Sequence, residues 1–298
     1  MLWSQLHSLG RSLRRPDRRA GSEFRVSIFL DIFLWSKYLE IMRFKSSTLQ
    51  PSSRFLFWAM IAFGLNLTAS ISYAELLFSD SFDYPPGALD GNGPPPNSPP
   101  GQGGWTTLLG DPQVGKIGLR FRGLSSAGTA ALEATDLSTG GEVAAADITP
   151  ISSGIVWIGF FTRQQSQTWR GGYTDLSFND LAVGPTTPQF GLTFFAAGQY
   201  AIDNSAADLH QATTGVTATN ATVWLVVKLD FNSGFETLYV NPSRVGEPIT
   251  AEGTAQLQME PEFQSSGFDR LILRSGYFIS TYAFDELRVG TNFQDIVF

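Results

Sequence analysis

Phe268-Asp-Arg-Leu-Ile-Leu-Arg-Ser-Gly276 and Ala283-Phe-Asp-Glu-Leu-Arg-Val-Gly290 are the stretches on which the fold turns. Each alternates polar and apolar residues with period two, the spacing of a half-buried β-strand. A short connection containing Gly, Tyr and Ser joins them.

The same reading extends upstream. Ile155-Val-Trp-Ile-Gly-Phe-Phe-Thr162 is apolar on both faces and is expected deep inside a sandwich. Tyr173-Thr-Asp-Leu-Ser-Phe178 and Phe190-Gly-Leu-Thr-Phe-Phe195 are further strands. Val223, Leu225, Val227, Leu229 and Phe231 share one face of the next, with Trp224, Val226, Lys228 and Asp230 on the other. Asn232-Ser233-Gly234 then turns the chain into Phe235–Val240, a hairpin signal. Ala130 to Ala146 reads as loop and strand, and no convincing amphipathic helix stands out. Gly87 to Gly104 is a Pro-rich loop, because proline cannot donate to a ladder. Many short strands between turn signals, with no repeat at fixed period, argue for an all-β sandwich or barrel.

The N-terminal quarter is different. Arg43, Lys45 and Arg54 precede an apolar run of thirteen residues, Phe55 to Leu67, and Ser72-Tyr73-Ala74 offers small residues at a cleavage site. This is the pattern of an export signal, and the run is shorter than the roughly twenty residues of a membrane span. Residues 42–74 are therefore expected to be a signal peptide that starts at Met42. Residues 1–41 are expected to be a spurious N-terminal extension, leaving 75–298 as the mature domain. Ten of the 20 Lys and Arg, but only four of the 27 Asp and Glu, lie before residue 75. The mature segment is thus near −13, which disfavours nucleic acid as a partner. It has no cysteine, so disulfides, thiolate metal sites and cysteine nucleophiles are excluded. A secreted domain of this length must rely on its core, and is long enough to bury roughly 70% of its unfolded surface.

Three motifs line up in order. Phe78-Ser-Asp-Ser-Phe-Asp-Tyr-Pro85 with Gly103-Gly104-Trp105 opens the domain. Leu225-Val-Val-Lys-Leu-Asp-Phe231 with Leu238-Tyr-Val-Asn-Pro-Ser243 forms its centre, and Phe284-Asp-Glu-Leu-Arg-Val-Gly290 its end. Together they resemble the laminin-G-like, concanavalin A-like lectin/glucanase domains of secreted bacterial proteins. The resemblance implies an all-β, two-sheet antiparallel jelly-roll sandwich, a secreted, periplasmic or extracellular location, and a glycan or cell-surface polymer as partner. It does not choose among lectins, carbohydrate-binding modules, hydrolases, lyases and adhesive domains.

Catalytic signatures are missing. A retaining glycosidase needs two carboxylates about 5 Å apart, and the Glu-x-Asp-x-x-Glu pattern of the glucanases does not occur. Asp285 and Glu286 are adjacent, so a strand sends them to opposite faces. Asp230 and Glu236 flank a hairpin turn, where solvated charge is ordinary. His210 is the only histidine of the mature segment and lies in a polar stretch. Gly110 to Lys116 matches a phosphate loop only in part, since Ile117 stands where Ser or Thr belongs. The expected activity is therefore non-catalytic, in carbohydrate binding or surface interaction. The alternatives are a hydrolase or lyase with an unrecognised site, or a structural envelope protein.

Aromatics near turns or strand ends are the candidate ligand contacts: Trp105, Trp169, Tyr173, Tyr200 and Tyr277. Trp157 and Trp224 read as core. Asp80 and Asp83 near the first strand, with Asp285 in the last, could hold a structural calcium if those strands are neighbours, as the resemblance implies. The other reading of these three is solvated carboxylates.

Overall fold

The computed structural model describes residues 75–94, 98–125, 132–134, 141–164, 173–180, 187–193, 196, 198–204, 210–247, 250–276 and 282–298. The N-terminal half of this region carries β1 (Leu76–Asp80), β2 (Gly87–Ala88), β3 (Trp105–Leu109), β4 (Gln113–Val114), β5 (Arg120–Phe121) and β6 (Leu124–Ser125). There follow β7 (Leu132–Ala134), β8 (Glu142–Ile151), β9 (Ile155–Gln164), β10 (Tyr173–Phe178), β11 (Gln189–Leu192) and β12 (Gln199–Asp203). The last six strands are β13 (Gln211–Thr217), β14 (Val223–Asp230), β15 (Phe235–Val240), β16 (Gly253–Gln258), β17 (Phe268–Gly276) and β18 (Tyr282–Gly290). One short helix, α1 (Pro261–Ser266), and a 3₁₀ turn, η1 (Phe293–Ile296), complete the described elements.

Two antiparallel sheets face each other in a jelly-roll sandwich. One has nine strands in the order β16-β15-β14-β9-β18-β7-β4-β2, with β1 also pairing β18. The other has seven, in the order β13-β12-β11-β10-β17-β8-β3. The first and last strands meet as expected: Phe78 lies opposite Val289 and Asp80 opposite Leu287. The hairpin of β14 and β15 also forms as expected, with Leu225 opposite Val240 and Asp230 opposite Phe235. Asp230 accepts the Asn232 and Ser233 amides across its turn.

Alternation sorts side chains into two large cores and one small cluster, Val143, Ala145 and Ile272, on the outer face of the seven-stranded sheet. Val156, Ile158 and Phe160 of β9, the odd-numbered residues 223–231 and Phe284 fill the space between the sheets. Trp157, Phe161, Trp224 and Val226 point the other way, and there they meet Phe293 and Ile296 of η1. The chain folds back over this outer face after β18. Asn292 and Asp295 form a capping box that starts the 3₁₀ turn. Phe298 then places its ring 4.6 Å from that of Phe161 and 4.2 Å from the Arg288 guanidinium. This second core explains why β9 and β14 are apolar on both faces.

Three expectations need correction. β17 and β18 are buried nearly throughout, not half-buried, and they lie in different sheets. A helix exists: Pro261 begins it, Gly267 ends it at φ +66°, and its Phe263 is buried. Glu236 is not solvated. It shares its face with Leu238 and Val240 and is 0% exposed, and neither carboxylate oxygen has a hydrogen-bond partner. Burial pushes its carboxyl up to about 8; nearby Asn204, outside hydrogen-bonding geometry, pulls against this and the charge of Glu260 adds to it.

Candidate functional site

The face of β10 that carries Leu176 and Phe178 turns into the core. Tyr173, Asp175 and Ser177 therefore point to the outer face of the seven-stranded sheet. Register places Asp175 between Arg274 of β17 and Gly191 of β11, and Gly191 opposite Ala201 of β12. Two long polar side chains are thus followed by two small residues in one row.

Arg274 grips Asp175 with both arms. Its Nε donates to Oδ1 at 2.8 Å and its Nη2 to Oδ2 at 3.1 Å. The two side chains are 6% and 0% exposed. The guanidinium also lies 5.2 Å from the ring centre of Tyr173. Burial raises the Asp175 carboxyl above its ordinary value, and Arg274 draws it back. Burial works against the Arg274 charge too, but Asp175, with help from Tyr173 and Asp203, holds its pKa above the usual value. A proton on Asp175 would strand a buried cation, so the ionised pair is the state this geometry favours. Gly191 makes the packing possible. At φ +146°, a Cβ there would stand 2.5 Å from the Thr174 carbonyl oxygen and 3.0 Å from the Asp175 Cα.

One strand further, Gln211 donates to Thr193 Oγ1 at 2.8 Å and reaches Asp203 Oδ2 at 3.5 Å. The face therefore combines a fixed carboxylate–guanidinium fork, a half-buried tyrosine and carboxamides. The fork is buried and holds the Tyr173 ring in place, while Tyr173 and Gln211 are the part-exposed members, suited to ring stacking and hydrogen bonding. Asp175, Asp203 and Asp147 each already hold a protein partner, Asp147 through Arg270 at 2.8 Å.

Of the aromatic candidates among the described residues, only Tyr173 lies on this face. Trp105 and Tyr200 are each 2% exposed and belong to the core between the sheets, which corrects their reading as ligand contacts. Trp169 and Tyr277 lie outside the described residues. The metal candidates do not converge. Asp80 accepts the Phe82 amide (2.7 Å), the Tyr84 hydroxyl (2.6 Å) and the Trp105 indole (2.7 Å). Asp285 accepts the Leu119 and Glu286 amides, and Asp83 is exposed. Among the described residues no three His, Asp or Glu side chains are placed to hold a metal. His210 is exposed and contacts Glu260 at 2.7 Å. Sequence reasoning misses Asp175 and Arg274; the clue is that period two sends Asp175 outward together with Tyr173.

The sequence matches no family model and no curated protein. Among solved structures, it is similar to a glycosyl hydrolase family protein from Mycobacterium fortuitum: 15% identity, 72% of this chain, 99% of that one, TM-score 0.42. Peanut lectin gives 10% identity over 74% of this chain and 97% of its own, with TM-score 0.42. A sialidase gives 11% identity over 62% of this chain, which spans 16% of that protein, with TM-score 0.41. Binding proteins and hydrolases stand side by side in this set, and the likeness does not choose between them.

Proposed function

We propose that residues 75–298 form an exported, non-catalytic glycan-binding module of the concanavalin A-like type. Its ligand sits on the outer face of the seven-stranded sheet. The observation that carries this reading is the half-buried Tyr173 ring, held against the buried Arg274–Asp175 fork on the side of the sheet that does not face the core. Binding rather than cleavage is favoured because Asp175 is committed to Arg274 on both oxygens, leaving it no role as nucleophile or acid. Export accords with the basic-apolar-small pattern of residues 42–74.

A glycan array probed with the exported protein, run beside a reducing-sugar assay on the glycans it retains, tests the proposal. Retention without release of reducing ends is expected. Tyr173→Ala should weaken retention on the order of tenfold with an unchanged melting temperature, since one ring contact is worth roughly 1 kcal/mol or more. Released reducing ends would establish an enzyme instead. Silence in both assays would leave a structural envelope role.

A further inference from the structure

η1 covers the outer face of the nine-stranded sheet over β9 and β14. Beyond it, β15 and β16 continue the same face to the sheet edge. Leu238, Val240 and Ala255 turn into the core. Phe235, Thr237 and Tyr239 of β15 therefore point outward, as do Thr254, Gln256 and Gln258 of β16. Register sets them in three rows: Phe235 opposite Gln258, Thr237 opposite Gln256 and Tyr239 opposite Thr254. Phe235 is 43% exposed, and the three β16 residues are exposed as well. The two aromatic residues stand four apart on one strand, about 13 Å between their Cα atoms.

One exposed ring by itself needs no explanation. Here a second ring, on the same strand, is fixed in place. Tyr239 is half-buried and stacks on Trp157, 6.4 Å away and inclined by 25°. Trp157 in turn meets Phe293 at 5.4 Å and the Lys228 ammonium at 4.9 Å. A ring held in this way loses little freedom when a ligand settles on it. The face is also neutral. Residues 75–298 include 23 acidic and 10 basic side chains, yet none of these six outward residues is charged. The charges of the adjoining strand β14 are engaged within the protein. Lys228 meets Glu247 at 3.5 Å, and Asp230 accepts the Asn232 and Ser233 amides. Gln256 donates to Thr237 Oγ1 at 3.4 Å, and each glutamine offers donors and an acceptor in one group.

We propose that β15 and β16 form a second glycan platform, which holds one unbranched, neutral polysaccharide chain along the strands. Its sugars lay their C–H faces on Phe235 and Tyr239, and its hydroxyls meet Gln256 and Gln258. The two rings are further apart than one pyranose spans, so a chain of several units is needed to touch both. An anionic polymer is disfavoured, because the platform has no cation to meet it and the acidic excess of the domain repels it. The two-ring platform stands on this face alone; its assignment to a saccharide rests on the glycan-binding reading given above.

Native gel electrophoresis of the exported protein tests this, with hydroxyethylcellulose, glucomannan or polygalacturonate cast in the gel. At least one of the two neutral polymers should retard the protein. Retardation by polygalacturonate alone would overturn the neutral assignment. Phe235→Ala should weaken the retention about tenfold, the loss of one ring contact. The double change Gln256→Ala with Gln258→Ala, at two exposed positions, should weaken it too, and carries the test if Phe235→Ala lowers the melting temperature. A hexasaccharide cut from the retarding polymer should bind at least about tenfold more tightly than its disaccharide; equal affinities would overturn the two-ring assignment. Complete loss in Tyr173→Ala with none in the β15 and β16 variants would overturn the platform and leave the seven-stranded face as the site. Loss in those variants with none in Tyr173→Ala would support the platform and remove Tyr173. No retardation by any polymer, beside a glycan retained on the array, would overturn the platform alone. A dimer in sedimentation that Phe235→Ala dissolves would assign this face to a second copy of the chain and overturn the platform.

Discussion

Glu236 shows how one residue can set the response of a fold to pH. Its folded-state pKa is about 8, against an ordinary value of 4.5. Below the ordinary value both folded and unfolded chains hold the proton, and the residue carries no electrostatic penalty. As pH rises from there toward 8, the unfolded chain releases its proton and the folded one does not, so stability falls; above about 8 the loss is complete. At 1.36 kcal/mol per unit the total is on the order of several kcal/mol. Glu236→Gln copies the protonated shape. It should match the unmutated protein in urea melts at pH 5 and exceed it at pH 8.5. Parallel pH profiles for the two would remove Glu236 as the source. Its burial is legible in the sequence, because it is two residues before Leu238 and four before Val240. The nearby turn signal misleads, since it suggests that both flanks are solvated. Asp80 misleads in the opposite way. Its acidity suggests a cation, whereas its two oxygens serve three protein donors. Adding calcium or a chelator should therefore leave the melting temperature in place, and a rise with calcium would restore the metal reading.

At the scale of elements, the strands are legible in the sequence and their partners only in part. Period two reports which residues share a face, and so the alternation alone places the odd residues of 223–231 together. It does not report which strand lies alongside. That is why β17 and β18 look like neighbours in the sequence, although each joins a different sheet. The outer core is hidden for a related reason. Phe293, Ile296 and Phe298 are too few to show periodicity, and their partners on β9 and β14 lie over 60 residues earlier in the chain. Two changes separate the two cores. Phe284→Ala removes a ring that is 2% exposed between the sheets and should cost on the order of 3–5 kcal/mol. Phe293→Ala removes a ring that lies 5.4 Å from Trp157 and 6.0 Å from Trp224. It should shift tryptophan emission to the red, because it wets both indoles. Emission unchanged in Phe293→Ala would mean that η1 does not seal this face.

For the molecule as a whole, the fold class is legible because it needs only the count, length and alternation of strands. The proposed binding face is not, because it depends on register between β10, β11 and β17. The proposed export leads to a direct measurement: Edman sequencing of the mature protein should begin at Glu75. A membrane-held form that retains residues 55–74 would instead make that segment an anchor.

The amide of Glu75 donates to Thr291 Oγ1 at 3.1 Å, and the Thr291 amide returns a bond to the Glu75 carbonyl at 3.0 Å. Phe298 lies a few residues further on, against the outside of the nine-stranded sheet. Both extremities of the domain thus belong to one layer. A tether attached at either extremity would hold the domain by its nine-stranded side and leave the far side of the seven-stranded sheet turned away from the anchor. A bridge of a few glycines and serines between residues 298 and 75 should likewise permit new ends to be opened in the exposed turn between β13 and β14 without loss of the sandwich.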